Sequence, residues 1–114
     1  MPDEVSAIVP VWNGRAMLER LIGSLHAQTY PVAEIVVVDN GSKDGAPEAA
    51  EGLGARVVRM GRNAGFSGAV NRGIRESRSE WLAVVNSDVE LAPGWLESLM
   101  AATKLECGLR RVRS

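Results

Sequence analysis

The feature that most constrains the fold is an alternation of short apolar runs, rich in β-branched residues, with segments of helical periodicity. After the first run, residues 5–11, apolar residues recur at the spacing of a helix face: Met17, Leu18, Leu21, Ile22 and Leu25. The second run, residues 34–39, lacks polar alternation, as do parallel strands covered on both faces. Strands joined through helices need crossover connections, so the pattern predicts a mostly parallel sheet.

The same unit repeats further along the chain. Its predicted segments are helix 46–53, strand 55–60, helix 65–78 and strand 81–85. One side of the 65–78 helix is predicted to carry Phe66, Ala69, Val70 and Ile74. Pro93 is expected at the first position of a last helix, which carries Trp95, Leu96, Leu99 and Met100. The expected fold is therefore an α/β, Rossmann-like sandwich with helices flanking the sheet.

The composition excludes several classes of function. With 114 residues, 46% of them hydrophobic, the chain is long enough for one domain with a core. Its 13 basic and 14 acidic residues nearly balance, so nucleic acid is not an expected partner. No apolar run approaches the roughly 20 residues of a membrane span, and Asp3 and Glu4 differ from the basic start of a signal peptide. We expect a soluble, cytoplasmic chain.

Polar residues follow the predicted strands at their carboxyl ends. Ligands of open α/β sheets bind outside those ends, so we expect the polar residues left over from the core pattern to converge on one rim. These residues are Asn13, Asp39, Asn40, Ser42, Asn63, Asn86 and Asp88.

The segment Asn86-Ser87-Asp88 is a candidate metal site. On an extended segment, the side chains of Asn86 and Asp88 point to the same side and present oxygens, the ligands that Mg²⁺ and Mn²⁺ prefer. Such an ion can bridge diphosphate oxygens and stabilise the charge on a departing nucleoside diphosphate. The alternative interpretation is a plain strand-end turn, because Asn, Ser and Asp all favour turns.

Two other polar positions each have two open interpretations. Asp39 closes the second strand, where its carboxylate can accept hydrogen bonds from a ribose hydroxyl or a base N–H, or can cap the turn at residues 40–42. Asn13 and Gly14 follow the first strand and either cap the helix beginning near Arg15 or shape a loop around a base. Under either interpretation, both positions lie at the predicted rim of the sheet.

A stretch rich in glycine and asparagine, residues 61–73, argues against some common sites. It contains neither G-x-x-x-x-G-K-S/T nor G-x-G-x-x-G, so a phosphate-gripping loop is not expected there. It also lacks G-x-S-x-G, which disfavours a serine hydrolase. Its small residues recur at near-helical spacing and predict a helix packed close to the sheet: Gly65, Gly68, Ala69 and Gly73.

In order and spacing, four blocks resemble the family 2 glycosyltransferases, which have a GT-A fold, from the start of the chain to about Met100. Residues 8–13 resemble that family's first strand and base-binding loop, and residues 37–42 resemble its V-D-D/N-G-S block. Residues 63–73 are similar to its N-x-G-x-x-x-A-x-N-x-G signature, and residues 86–96 to its D-x-D region and following helix. The details look most like the rhamnosyl- and galactofuranosyl-transferase branches.

The resemblance implies a nucleotide-sugar site. The nucleotide-binding residues it implies are Pro10, Val11, Asn13, Asp39, Asn63, Asn71 and Ser87, with Asp39 reading the base. Asp88 would be the principal ligand of Mg²⁺ or Mn²⁺, with Asn86 beside it. The implied reaction transfers a sugar, with inversion, from a UDP- or dTDP-sugar to a glycan or lipid-linked acceptor in cell-envelope polysaccharide synthesis.

The chain also departs from the family pattern. Asn40 stands where many members have a second aspartate, and Asn86 stands where D-x-D has its first. An amide attracts a dication less strongly than a carboxylate, so modest metal affinity is expected. No residue matches the family's catalytic aspartate or glutamate, the base that deprotonates the acceptor, so the catalytic residue is left unassigned.

Residues 1–103 are predicted to form a GT-A N-terminal nucleotide-sugar-binding domain. Residues 104–114 are predicted to be a basic tail, truncated or disordered, with neither a strand nor a helical core face. Its arginines suit contact with anionic lipid, which would place the chain at the cytoplasmic face of the membrane. Core surface that a further half would cover predicts a homo-oligomer.

Two other functions compete with glycosyl transfer. The first is a non-catalytic chain that binds a nucleotide, and the absence of donor turnover would distinguish it. The second is a dinucleotide-binding oxidoreductase module, which the missing glycine fingerprint after Val11 disfavours.

Overall fold

In this computed structural model, which describes residues 3–102 and 110–111, strands and helices alternate from Val5 to Ala102. In chain order the elements are β1 (Val5–Val11), α1 (Arg15–His26), β2 (Glu34–Asp39), α2 (Ala46–Gly52), β3 (Arg56–Arg59), α3 (Gly65–Glu76), β4 (Trp81–Val84), α4 (Trp95–Ala102) and β5 (Arg110–Arg111). The strand order is β3-β2-β1-β4-β5, and every pair is parallel except β4 with β5. The predicted α/β sandwich with a mostly parallel sheet is confirmed.

The sheet is covered on both faces because successive strand residues point to opposite sides. On one face, α1 and α2 pack over Ala7, Val9 and Val11 of β1. On the other face, Ala69 of α3 packs with Ile8 of β1. All seven residues of β1 are buried, which explains why this strand shows no polar alternation in the sequence.

Helix α3 lies unusually close to the sheet at Gly73. A Cβ atom added to Gly73 would lie 2.4 Å from Cγ2 of Ile8 and 3.2 Å from Cγ2 of Val38. Ala69 and Gly73 are the buried residues of this helix. The predicted close packing of small residues on the sheet is therefore confirmed for these two positions.

The structure corrects the predicted apolar side of α3. Phe66 is 58% exposed and does not join the core, although Ala69 and Ile74 do. The reason is that α3 contacts the sheet through its middle, whereas Phe66 lies in the first turn, beside the carboxyl ends of the strands. The helix also ends at Glu76, because Ser77 has an extended backbone with ψ of 149°.

The last helix begins later than predicted. Pro93 is not its first residue: the amide of Trp95 bonds to Ala92 O in a turn, and the first helical bond runs from Ser98 N to Gly94 O. Helix α4 therefore begins at Trp95. Its predicted apolar side is confirmed, since Leu96 is buried.

Residues 110–111 form β5 and pair with β4, so the prediction that the 104–114 tail contains no strand is wrong at these two positions. The rest of that tail, residues 104–109 and 112–114, lies outside the described residues. Across the part of the chain that the structure describes, no helix has the length and apolarity to cross a membrane.

Candidate functional site

A cleft of about 410 Å³ opens at the carboxyl ends of β1 and β4. Its lining residues are Pro10, Trp12, Asn13, Gly14, Met17, Phe66, Asn86, Ser87 and Asp88. The strand order reverses here, because the chain reaches β2 and β4, the neighbours of β1, through helices on opposite faces of the sheet. Such a switch point is where open α/β sheets bind ligands, and the volume suits a small molecule.

Asn86, Ser87 and Asp88 form the polar wall of the cleft. The preceding residue, Val85, is buried, and its amide donates a 2.9 Å hydrogen bond to Ile8 O, which anchors the segment to β1. Residues 87–88 lie in a turn, as the alternative interpretation predicted, and they still line the cleft. Among the described residues, no hydrogen bond or ion pair uses the side chain of Asn86 or Asp88, so their oxygens are available to a ligand.

Asn13 joins the loop after β1 to the loop after β2. The backbone of Asn13 is left-handed, with a φ of 60°. Its backbone N–H donates a hydrogen bond to Ser42 Oγ at 2.7 Å, and its side-chain Oδ1 accepts one from Lys43 N at 2.9 Å. The N-cap position of α1 is Gly14, without a side-chain cap. Asn13 therefore shapes this loop, and Gly14 rather than Asn13 occupies the cap position of α1; that the loop surrounds a base stays a prediction.

Asp44, which the sequence analysis did not single out, holds the first amides of two helices. Its Oδ2 accepts from Arg15 N at 2.9 Å and its Oδ1 accepts from Ala46 N at 3.1 Å. These bonds, above all the one from Arg15 N, hold the pKa of the Asp44 carboxyl below its ordinary 3.8. Asp44 therefore ties the start of α1 to the start of α2.

Asp39 forms the predicted turn. It is 4% exposed, and its carboxylate accepts hydrogen bonds from Gly41 N and Ser42 N at 3.2 Å. Asp39 and Val11 are register partners at the same sheet edge, but neither side chain lines the cleft, and Val11 belongs to the core. A role of Asp39 in reading the base stays a prediction.

Asn63 and Asn71 are exposed and stand outside the lining of the cleft. Asn63 Oδ1 accepts from Gly65 N at 2.9 Å just before α3 begins, whereas Asn71 lies in the second turn of that helix. Of the residues predicted to bind nucleotide or metal, the structure brings together Pro10, Asn13, Asn86, Ser87 and Asp88.

The cleft also has an apolar wall, which the sequence patterns did not indicate. Trp12 is 59% exposed, Phe66 58% and Met17 37%, and all three line the cleft. Large apolar side chains that stay exposed beside polar groups are typical of ligand sites. A signal was present for Trp12, because this aromatic residue comes directly after a strand whose residues are all buried.

The fit of the cleft to a divalent cation depends on which side chains could serve as metal ligands. Among residues 3–102 and 110–111, no three His, Cys, Asp or Glu side chains are grouped as metal ligands. Asp88 and Asn86 offer one carboxylate and one amide, which suits an ion that takes its other ligands from phosphate oxygens and water. The residues therefore fit Mg²⁺ or Mn²⁺ as a partial site that a diphosphate would complete.

The model of the family described as Glycosyl transferase family 2 matches residues 6–106. Over 115 residues the chain is 30% identical to N-acetylglucosaminyl-diphospho-decaprenol L-rhamnosyltransferase of Mycobacterium tuberculosis, covering 90% of this chain and 38% of that protein. It is 34% identical over 103 residues to succinoglycan biosynthesis protein ExoO of Rhizobium meliloti, covering 88% and 29%. The chain thus spans about a third of the length of these relatives.

Solved structures share the fold. Mannosyltransferase PcManGT from Pyrobaculum calidifontis, in complex with GDP-Man and Mn²⁺, superposes with a TM-score of 0.81 at 26% identity, covering 88% of this chain and 32% of that one. S. aureus TarS 1–349 in complex with UDP superposes with a TM-score of 0.78 at 27% identity, covering 90% and 32%. The predicted GT-A fold is confirmed.

Proposed function

The chain belongs to glycosyl transferase family 2, and we propose that it forms the donor-binding part of an enzyme that transfers a sugar from a nucleoside diphosphate sugar. The observation that carries the proposal is the cleft at the switch point of the sheet, which is lined by an exposed Trp12 and by Asn86 and Asp88, whose oxygens have no partner among the described residues. Oxygen ligands suit a metal-bound diphosphate, and a flat aromatic face suits a nucleobase.

We propose a UDP- or dTDP-sugar as the donor. Trp12 supplies a stacking surface for the pyrimidine, while Asn13 is held by Ser42 at the same end of the cleft. The bound UDP of the TarS structure supports a uridine donor, whereas the GDP-Man of PcManGT shows that this fold also accepts a purine. Rhamnose is the donor sugar named for the M. tuberculosis relative and is our first candidate.

The diphosphate would lie against Asp88 and Asn86, which would hold Mg²⁺ or Mn²⁺. When bound, the ion neutralises charge on the departing nucleoside diphosphate. Among the described residues that line the cleft, Asp88 is the only carboxylate, so it would be the principal ligand of the ion. Since that carboxylate is committed to metal binding, we assign no catalytic base to the cleft.

The acceptor is proposed to be a glycan or lipid-linked sugar, and the transfer to invert the anomeric carbon. Support for a lipid-linked acceptor comes from the decaprenol in the name of the M. tuberculosis relative. Such an acceptor lies at a membrane surface, and we propose its cytoplasmic face. Self-association and contact of the 104–114 tail with anionic lipid stay predictions.

Calorimetric titration of UDP and dTDP, with and without Mn²⁺, tests the proposal, and NAD serves as a negative control. We expect nucleotide affinity to depend on Mn²⁺, and Asp88→Ala to remove that dependence. Glu90→Ala is the matched control, because Glu90 is an exposed carboxylate two residues away and outside the lining of the cleft. Tight binding of NAD, or a folded chain that binds neither UDP nor dTDP, would contradict the proposal.

One observation favours a second function, a chain that binds a nucleotide without turning it over. Among the described lining residues, Asp88 is the only carboxylate, which leaves no separate base for an acceptor. Donor hydrolysis distinguishes the two functions: release of UDP from a UDP-sugar supports the transferase, and binding without release supports the non-catalytic chain.

A further inference from the structure

The turn after β2 is tied to the loop before α3 by the side chain of Asn40. This residue is 5% exposed. Its Nδ2 donates to Gly65 O at 3.2 Å, and its Oδ1 accepts from Ala64 N at 3.1 Å. The side-chain amide of Asn40 therefore uses both its donor and its acceptor, and it bonds to the backbones of two consecutive residues of that loop.

The loop that Asn40 holds leads directly into the apolar wall of the cleft. Phe66 follows Gly65, and its ring lines the cleft. Two further features accompany these bonds: Gly65 has a left-handed φ of 78°, and the backbone of Arg62 lies beside Gly41 of the β2 turn, 3.6 Å from where a Cβ of Gly41 would be. The backbone of this loop is thus docked on the β2 turn, and the position of Phe66 follows from that docking.

We propose that Asn40 is a positioning residue that sets the place of Phe66 in the cleft, and that only an uncharged side chain with its donor and its acceptor on two separate atoms, which a serine hydroxyl lacks, can perform this role. An ionised carboxylate only accepts hydrogen bonds, so at this position one oxygen would face the Gly65 carbonyl oxygen without a proton between them. It would also place a charge at a position that is only 5% exposed. The second aspartate of the usual V-D-D-G-S block therefore does not suit this loop.

The chemistry predicts a specific rescue. A protonated carboxyl donates through its O–H and accepts through its carbonyl oxygen, as the amide does. Burial raises the pKa of a carboxyl, and the neighbouring Asp39 carboxylate acts in the same direction on the group introduced by Asn40→Asp. Lowering the pH should therefore return the Asn40→Asp loop to its native position.

Phe66 is itself the reporter, because it is the only phenylalanine of the chain. Labelling with fluorophenylalanine gives one ¹⁹F signal, which can be recorded for the native chain, Asn40→Asp and Asn40→Ser. Asn63→Asp is the matched control for this signal: it makes the same change of charge in the loop that Asn40 holds, but Asn63 Oδ1 accepts a bond from Gly65 N, which a carboxylate also does. The free energy of unfolding is measured for each variant.

At about pH 7.5, where an ordinary carboxyl is ionised, we expect the Phe66 signal of Asn40→Asp to be displaced and that of Asn63→Asp to stay native. Towards about pH 5 the Asn40→Asp signal should return, whereas the Asn40→Ser signal should stay displaced at both values. A native signal in folded Asn40→Asp at the higher pH, or a displacement that does not reverse while the native chain is unchanged, would overturn the proposal. Should Asn40→Asp unfold at the higher pH, the Asn40→Ser signal decides: a native position refutes the role.

The effect on the donor rests on the proposed function and is measured separately. UDP titration of Asn40→Asp at the higher pH should show a roughly tenfold loss of affinity that lower pH reverses relative to the native chain. If the native chain binds no UDP while the Phe66 signal behaves as expected, the proposed function fails and the positioning role stands. If the native chain binds UDP and Asn40→Asp binds it equally well at both pH values, the positioning role fails.

Discussion

The two edges of the sheet differ in how completely their polar side chains are partnered within the fold. At the amino edge, Glu34 accepts hydrogen bonds from Ser6 Oγ and Arg78 N, both at 2.7 Å. Arg56 lies 3.6 Å from Glu34 and 2.7 Å from Glu76. At the carboxyl edge, by contrast, the oxygens of Asn86 and Asp88 have no partner within the described residues.

This difference separates the polar groups that stabilise the fold from those whose oxygens are open to a ligand. Ser6 is fully buried and has no access to water, so Glu34 is the partner that satisfies its hydroxyl. Asp88 is exposed to solvent, so its carboxylate needs no partner within the fold. Stability and binding should therefore respond to different substitutions.

The largest effect on stability is expected at the amino edge. Glu34→Ala removes the partner of a buried hydroxyl and of the Arg78 amide, so it should lower the free energy of unfolding by about 2 kcal/mol, measured by urea denaturation. Glu48→Ala is the control, because the Glu48 side chain is 69% exposed and should cost less than about 0.5 kcal/mol. A parallel loss of UDP affinity in Glu34→Ala would break the separation of the two edges.

The next effect is a gain of binding at the carboxyl edge. Asn86→Asp places a second carboxylate beside Asp88, which should raise the Mn²⁺-dependent part of UDP affinity roughly tenfold. Without Mn²⁺ the two like charges repel, so the melting temperature should fall slightly and recover when the ion is added. Thermal unfolding and calorimetry at matched ionic strength check both parts. An affinity that stays the same in Mn²⁺ would mean that residue 86 is not a ligand.

A smaller effect is expected for the apolar wall. Trp12→Ala should weaken UDP by roughly fivefold, about 1 kcal/mol, with or without Mn²⁺, because it removes a stacking surface and no metal ligand. The free energy of unfolding should hardly change, since Trp12 is 59% exposed. Leu53→Ala is a suitable comparison, since Leu53 is 41% exposed and lies outside the lining of the cleft. Equal losses of affinity in both variants would remove Trp12 from the site.

The smallest effect is expected for Asp44, a residue of the carboxyl edge whose carboxylate accepts hydrogen bonds from backbone amides of the fold. Its pKa in the folded chain lies below the ordinary 3.8, so its carboxylate contributes stability above that value and loses the contribution as the pH falls through the folded pKa. The difference in stability between the native chain and Asp44→Asn should therefore shrink between about pH 5 and pH 2. Glu51, whose pKa Arg59 also lowers, titrates in both proteins and cancels in the difference. A difference that grows in acid would contradict the assigned bonds.

Much of the fold could be predicted from the sequence because hydrophobic period and burial coincide. The bounds of β1 and β2 agree with their apolar runs, since both faces of these strands are covered. Phe66 was placed wrongly because periodicity reports which side of a helix a residue is on and not whether the sheet extends that far. Helix α4 begins after a turn in which Trp95 N bonds to Ala92 O, and the preference of proline for the first position of a helix does not reveal that turn.

Only part of the site could be predicted, because local sequence patterns place residues at the ends of strands and do not specify long-range hydrogen bonds. Polar residues after strands had to meet at one edge, and Pro10, Asn13, Asn86 and Asp88 do meet there. The bonds that shape the edge join residues about 30 positions apart, as Asn13 does with Lys43, and no local pattern specifies such pairs. The double role of the Asn40 amide also depends on the loop that it faces.

The walls of the cleft come from helices on opposite faces of the sheet, with Met17 in α1 and Phe66 in α3. Because both helices pack on β1, we expect the sheet to hold the two walls apart and the cleft to be formed before a ligand arrives. Binding then costs the rotational freedom of a few side chains, Trp12 and Phe66 above all, and no rearrangement of the backbone. We therefore expect nucleotide association to follow a single exponential whose rate rises linearly with concentration, with differences between ligands expressed in their rates of dissociation.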